Sequence, residues 1–195
     1  MRRPHLARLL TLALAVALPL AACSKDVDPD QALQEGLAQQ RAGNMDAAAE
    51  QYQLVLDVRP GDKYANYNLG VIEQADGRVA LAEGYYRAAI DTDANFVPAL
   101  FNLAILRTQA GATQEAIDLY LQVIEIQPDY AAAHFNLGIL YRDAGKAALA
   151  DKYLNQALAL DPTLADRLDT QPVVSGSPAP AGGASSDSPA ASPTP

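Results

Sequence analysis

The stretch AAAHFNLGILYRDAGKAALADKYLNQALALDP, residues 131–162, decides the fold. It reads as a helix that ends near Gly145, a second helix that follows it, and a stop at Pro162. Glycine adopts the left-handed conformation with which a chain leaves a helix, and it does so without steric cost. Proline ends a helix because it lacks an N–H and clashes with the preceding turn. The stretch therefore predicts two helices joined by a tight turn.

The same residue types recur in rows of equal length that begin at Pro29, Lys63, Val97 and Ala131, and the alignment needs no gap. Seven of the twelve glycines fall in two of its columns, which chance spacing would not produce. The five columns are Gly36, Gly70, Ala104, Gly138; Gly43, Gly77, Gly111, Gly145; Ala48, Ala82, Ala116, Ala150; Tyr52, Tyr86, Tyr120, Leu154; and Pro60, Ala94, Pro128, Pro162. The period predicts repeats at residues 29–62, 63–96, 97–130 and 131–163.

Each column has a physical role in a pair of packed helices, which we call helix A and helix B of a repeat. The first column and the alanine column let the two backbones approach closely. The tyrosine column fills the hollow between the helices, and the proline column ends helix B. The residues that follow the proline column can cap the next helix. These predicted caps are Gly61, Asn95, Asp129 and Thr163.

These columns resemble the tetratricopeptide repeat, and the resemblance covers residues 29–162. It implies an all-α fold, a right-handed α-solenoid of four helix–turn–helix repeats. The composition agrees, because alanine and leucine dominate the apolar residues while the runs typical of strands are scarce. Glu35 stands where the other repeats have Leu69, Leu103 and Leu137, as expected of an end repeat that faces solvent.

In this family the A helices line a concave groove that binds an extended or helical peptide, so the resemblance implies a protein partner. The groove residues that it assigns are Tyr64, Tyr67, Val71, Gln74, Phe101, Ile105, Thr108, Phe135, Ile139 and Arg142. Two interpretations are open for the aromatic column of Tyr67, Phe101 and Phe135. The rings either form an apolar strip for a ligand or complete the core.

Some family members clamp a partner's terminal carboxylate with basic residues on the groove. The matching positions here are not basic, so this clamp is missing. We expect the asparagines that remain, Asn68, Asn102 and Asn136, to form hydrogen bonds between neighbouring repeats.

The first 22 residues read as a secretory signal peptide, with a basic start, an apolar stretch over residues 9–18, and small residues before Cys23. The stretch is about half of the roughly 20 residues that a membrane-spanning helix needs. Residues 20–23, Leu-Ala-Ala-Cys, resemble the bacterial lipobox, which implies that the Cys23 thiol carries a diacylglycerol, that Cys23 becomes the new N-terminus after cleavage, and that a short linker covers 23–28. We expect an exported protein, anchored at the outer membrane of a Gram-negative cell or at the outer leaflet of a single membrane.

The C-terminal residues divide into two parts. Thr163 and Asp166 have the spacing of a capping box, which predicts a short closing helix over 164–170. Residues 171–195 are rich in proline, alanine, serine and glycine, carry Asp187 as their only charge, and are expected to be a disordered tail.

Few residues could carry catalysis, because the only histidines are His5 in the leader and His134, and the only cysteine is Cys23. His134 falls in a mixed column and is expected to be a packing residue. One histidine and one lipidated cysteine cannot form a typical zinc site. We therefore expect no catalytic residues, no metal and no cofactor.

The net charge of −9 becomes −12 without the leader, whose three arginines leave 11 basic against 23 acidic residues. Such a charge argues against nucleic acid as a partner. The sequence thus favours a lipid-anchored scaffold or assembly adaptor of the cell envelope, which binds a peptide of an envelope, pilus, secretion or cell-wall component. The competing hypothesis is a structural lipoprotein that associates with itself as a homodimer.

Overall fold

The computed structural model describes residues 28–168. The predicted signal peptide, Cys23 and the tail over 171–195 lie outside the described residues. The described part is all-helical, an α-solenoid in which each helix A packs against its own helix B and against the preceding helix B. Its helices are α1 Pro29–Arg41, α2 Met45–Val58, α3 Lys63–Ala75, α4 Val79–Thr92, α5 Val97–Gln109, α6 Thr113–Ile126, α7 Ala131–Asp143, α8 Ala147–Leu160 and the 3-10 helix η1 Pro162–Arg167.

The glycine that follows each helix A has the left-handed conformation that the sequence predicts. Its φ angle lies between 70° and 83° at Gly43, Gly77, Gly111 and Gly145. In the first repeat the Gly43 N–H donates to the carbonyl of Gln40 at 3.1 Å, and the Asn44 N–H donates to that of Gln39 at 2.9 Å. This is the Schellman arrangement, which satisfies the last carbonyls of the helix and turns the chain toward helix B.

The caps of the A helices lie one residue later than predicted. Gly61, Asn95 and Asp129 were the wrong positions, and the N-caps are Asp62, Phe96 and Tyr130. The Asp62 carboxylate accepts from the N–H groups of Tyr64 and Ala65, at 3.1 and 2.9 Å. Phe96 and Tyr130 form no side-chain cap. Each ring instead packs on the preceding helix A.

The closing element also begins earlier than predicted. It is a 3-10 helix from Pro162, and its cap is Asp161 instead of Thr163. The Asp161 Oδ1 atom accepts from both the N–H and the hydroxyl of Thr163, at 3.0 and 2.7 Å, so Thr163 already lies inside the helix. Residues 169–170 of the predicted helix lie outside the described residues.

The 3-10 helix continues the repeat register. Leu164 occupies the position that Tyr130 has one repeat earlier, and its side chain is buried against Phe135 and Ile139 of α7. It thus covers the fourth repeat as Tyr130 covers the third. Helix η1 thus places an apolar side chain at the N-cap position of the repeat register.

The first repeat ends the solenoid with a polar surface. Its positions 31, 34, 35 and 38 are all exposed and hold Gln, Gln, Glu and Ala. The equivalent residues of α3 are buried against the first repeat: Ala65, Asn68, Leu69 and Ile72. Glu35 therefore faces solvent, as the sequence predicts for an end repeat.

The junction between the second and third repeats adds ion pairs to an apolar core. Arg87 of α4 forms ion pairs with Glu83 at 3.0 Å and with Glu115 of α6 at 2.6 Å, and Arg107 of α5 also pairs with Glu83. The residues that replace Glu83, Arg87 and Arg107 in the following repeat are apolar or aromatic: Ile117, Leu121 and Tyr141. The same three positions therefore carry ion pairs at the second repeat's junction with the third, and apolar or aromatic side chains one repeat later.

The early column of small residues is required by a close contact between helix A and helix B. A Cβ atom placed on Gly36 or Gly70 would lie 2.6 Å from the Cε1 atom of Tyr52 or Tyr86. On Gly138 it would lie 2.7 Å from Cγ of Leu154. Such distances are far below van der Waals contact, so at these three glycines an added methyl group would force the facing side chain or the helix to shift.

We predict that Gly70→Ala lowers the free energy of unfolding by about 1–3 kcal/mol, the usual cost of overpacking a core. The matched control is Gly84→Ala. Gly84 is an exposed residue inside α4, and nothing lies within 4 Å of an added Cβ. Alanine there should raise stability by roughly 0.5–1 kcal/mol through helix propensity. Urea denaturation measures both, and equal effects of the two changes would contradict the close contact.

Candidate peptide-binding face

The face that the sequence assigns to a ligand is divided by burial into two parts. Its interior residues have relative exposures between 2% and 7%; they are Tyr67, Phe101, Ile105, Phe135 and Ile139. The other assigned residues keep part of their surface, and we call them the open residues. They are Tyr64, Val71, Gln74, Thr108 and Arg142.

The aromatic column lies in the core. The Tyr67 ring centroid is 5.5 Å from that of Phe96, edge to face, and 6.0 Å from that of Tyr86. The Phe101 centroid is 4.9 Å from that of Tyr130. Each N-cap ring therefore covers the aromatic residue of the preceding helix A. Of the two interpretations of this column, burial supports the one in which the rings complete the core.

Tyr64 presents the most exposed ring of the assigned face, at 37% relative exposure. Its ring packs edge to face on Phe96, with centroids 5.6 Å apart. The Lys63 ammonium lies 5.1 Å from the Tyr64 centroid and forms an ion pair with Asp93 at 2.6 Å. That hydrogen bond raises the pKa of Lys63 and lowers the pKa of Asp93. The contact fixes the ring at the mouth of a shallow cleft between the loops.

Hydrogen bonds join the tyrosine column to helix A of the same repeat. The Tyr52 hydroxyl donates to Oε1 of Gln40 at 2.6 Å, and the Tyr86 hydroxyl donates to Oε1 of Gln74 at 2.7 Å. In the third repeat, the Thr108 side chain contacts the Tyr120 hydroxyl, which lowers the pKa of Tyr120, and the Thr108 hydroxyl donates to the carbonyl of Ala104 at 2.8 Å. Three of the four side chains in this helix-A column are thereby engaged by tyrosine.

The asparagines extend these contacts to the next repeat. The Asn102 amide donates to the Tyr86 hydroxyl at 3.3 Å, and the Asn136 amide donates to the Tyr120 hydroxyl at 3.2 Å. These bonds confirm the prediction that asparagines connect neighbouring repeats. Asn68 is the exception, because its amide donates to the carbonyl of Tyr64 in its own helix at 2.8 Å.

Burial raises the pKa values of the buried tyrosines. Desolvation raises the pKa of Tyr67 and of Tyr120 to about 12, although hydrogen bonds from asparagine partly oppose it. Desolvation also raises the pKa values of Tyr52 and Tyr86. Each hydroxyl therefore keeps its proton to a higher pH than an exposed tyrosine does.

His134 is a packing residue with 2% relative exposure. Its Nε2 atom lies 2.9 Å from the carbonyl oxygen of Pro128. Asn66, at the same position of the second repeat, donates to the carbonyl of Pro60 at 3.0 Å. This hydrogen bond was not predicted from the sequence. The sequence did contain a signal for it. Asn66 and His134 each follow a loop that contains a proline, whereas Leu100 follows the loop with Ala94.

Residues 28–168 contain neither a membrane-spanning helix nor a metal-binding cluster. Within this range, no helix is both long and apolar enough to cross a membrane. The same residues contain no group of three or more His, Cys, Asp or Glu side chains that could hold a metal ion.

Comparison with known families identifies the repeats. Models described as tetratricopeptide repeat match residues 33–98 and 131–164, and one described as TPR repeat matches residues 106–145. Together they cover well over half of the chain. The chain is a tetratricopeptide repeat protein, a class whose members generally serve as scaffolds for protein interaction.

Solved structures share the fold. The crystal structure of MamA is similar with a TM-score of 0.65 and 22% identity, over 73% of this chain and 83% of that one. MamA from Desulfovibrio magneticus RS-1 has a TM-score of 0.61 and 19% identity, over 70% and 77%. PilF of Pseudomonas aeruginosa has a TM-score of 0.61 and 25% identity, over 69% of this chain and 61% of that one. No curated protein matches the sequence.

We predict that Tyr86→Phe lowers the free energy of unfolding by roughly 1–3 kcal/mol, because it leaves Gln74 and the fully buried Asn102 without their hydroxyl partner. The control is Tyr85→Phe at a half-buried ring on the same helix. Its effect should stay within about 0.5 kcal/mol, as for most changes away from such contacts. Thermal denaturation followed by circular dichroism compares the two, and a harmless Tyr86→Phe would contradict the hydrogen-bonded role.

Proposed function

We propose that this protein is a lipid-anchored scaffold or assembly adaptor of the bacterial cell envelope, which binds a peptide of a protein partner on its helix-A face. The observation that carries the proposal is the set of open residues. Tyr64, Val71, Gln74 and Thr108 keep accessible surface on consecutive A helices, although the aromatic column beside them is closed. Such a row offers a peptide apolar contact and hydrogen bonds.

The proposed location at a membrane rests on the N-terminal sequence. Cys23 is the only cysteine of the chain and follows a sequence that resembles a lipobox. Five residues separate Cys23 from Pro29, the first residue of α1. At about 3.3–3.6 Å per extended residue, they would hold the first repeat within roughly 20 Å of the membrane surface. The anchor would sit on the outer membrane of a Gram-negative cell or on the outer leaflet of a single membrane.

A binding role without catalysis is proposed from the class of the fold, since tetratricopeptide repeats generally act as scaffolds. PilF of Pseudomonas aeruginosa, which is similar over 61% of its own chain, is a bacterial protein with this fold. The partner proposed here is a segment of an envelope, pilus, secretion or cell-wall component.

The second candidate is self-association as a homodimer, and exposed apolar residues on the B helices favour it. Met45 and Val79 begin α2 and α4, and Leu81 follows in α4, with relative exposures of 44%, 42% and 53%. They lie on adjacent repeats and away from the open residues of the A helices. A second copy of the chain would cover them if the protein dimerises.

The test is photocrosslinking in bacteria that express the full chain, with p-benzoylphenylalanine at Tyr64 in one variant and at Leu81 in the other. Phe101 is unsuitable because its ring is 5% exposed. We expect the probe at Tyr64 to capture one envelope protein and the probe at Leu81 to capture none. We also expect Cys23→Ser to move the protein from the membrane fraction to the soluble fraction.

Each alternative has its own outcome in this experiment. Crosslinks between two copies of the chain, obtained from Leu81, would replace the adaptor with the homodimer. A probe at Tyr64 that captures nothing would contradict the adaptor, because Tyr64 has the most exposed ring of the face. A Cys23→Ser protein that stays with the membrane would contradict the lipid anchor.

A further inference from the structure

One helix-A column loses its tyrosine partner in the last repeat. Its members are Gln40, Gln74, Thr108 and Arg142, one from each repeat. In the first three repeats a tyrosine hydroxyl of helix B engages this position. In the fourth repeat Leu154 replaces the tyrosine, and an isobutyl group offers no hydrogen bond to a guanidinium.

The surroundings of Arg142 leave its charge accessible. Its side chain keeps 42% of its surface exposed. The ion pair that the structure gives it joins Nε to Oδ1 of the neighbouring Asp143 at 3.7 Å, which is longer than a hydrogen bond. The guanidinium therefore retains donors that the fold does not use.

The remaining residues of the assigned face are uncharged. Tyr64, Val71, Gln74 and Thr108 supply its other open side chains, and its buried members are aromatic or aliphatic. Arg142 is thus the single charge among the ten assigned residues, and it lies at the end of the row, in the fourth repeat. The Lys63 ammonium beside Tyr64 is paired with Asp93, whereas the guanidinium of Arg142 is held only by the long contact to Asp143.

We propose that Arg142 binds a carboxylate of the partner peptide and so fixes the direction in which the peptide lies along the A helices. This inference rests on the proposed function. The guanidinium presents paired N–H donors whose geometry matches a carboxylate, and such charge-assisted bonds are stronger than neutral ones. The ligand is therefore a largely uncharged segment with one acidic group at the end that meets the fourth repeat. That group is either an Asp or Glu side chain or the terminal carboxylate.

The experiment selects peptides from a phage-displayed library of random dodecapeptides, with the Cys23→Ser chain as bait. The same selection is run on Arg142→Gln, which restores the residue that this column has in the first two repeats, and on Arg142→Lys, which keeps the charge. Thermal denaturation first establishes that the three baits are equally folded. We expect the wild-type and lysine baits to enrich Asp or Glu at one position and the glutamine bait to lose that enrichment.

The selected peptides are then synthesised with each acidic side chain replaced by its amide, or with an amidated C-terminus. Removal of the recognised carboxylate should weaken binding to the wild-type chain about tenfold in fluorescence anisotropy and leave binding to Arg142→Gln unchanged. Whichever of the two changes has this effect identifies the source of the carboxylate.

The outcomes separate this inference from the function on which it rests. Peptides that bind equally well to wild type and to Arg142→Gln, or that carry no acidic preference, would overturn the role of Arg142 and leave the binding face intact. A selection in which no bait enriches any peptide would overturn both.

Discussion

The contact between a small residue of helix A and a large residue of helix B is the constraint on which the rest of this structure depends. Gly70 meets the ring of Tyr86 so closely that a single methyl group has no room. The close approach buries the ring, and its hydroxyl donates to Oε1 of Gln74 on helix A of the same repeat. Because the contact returns at the same position of successive repeats, neighbouring helix pairs stack in one register and place their A helices side by side.

The same constraint decides which side chains are left for a partner. Tyrosine engages the helix-A column in the first three repeats, while N-cap rings and Leu164 close the aromatic column. What stays open is a narrow row of residues on the A helices. The row ends at Arg142, where the fourth repeat lacks the tyrosine. At its first repeat the solenoid ends in a polar surface on α1.

The repeat period and the residue types predicted the helix pairs, the left-handed glycines and the solvent-facing Glu35. Each of these features follows from residues at fixed positions of a single repeat. The caps at Gly61, Asn95 and Asp129 failed, because each helix A begins one residue later: Asp62 caps α3 with its carboxylate, and Phe96 and Tyr130 pack their rings on the preceding helix A. Burial of Phe101 could not be derived either, since the ring that covers it is that of Tyr130, which caps the first helix of the next repeat. The charged junction at Arg107 likewise depends on partners from two other helices.

The central claim is that the repeat register builds a self-contained solenoid whose helix-A face is available to a partner. Sedimentation equilibrium of the full chain with Cys23→Ser tests it most directly, over a hundredfold range of protein concentration. The account predicts the mass of a single chain at every concentration, because both ends of the solenoid are closed by its own residues. A mass that rises to two chains with concentration would contradict it and would assign the exposed apolar residues of the B helices to self-association.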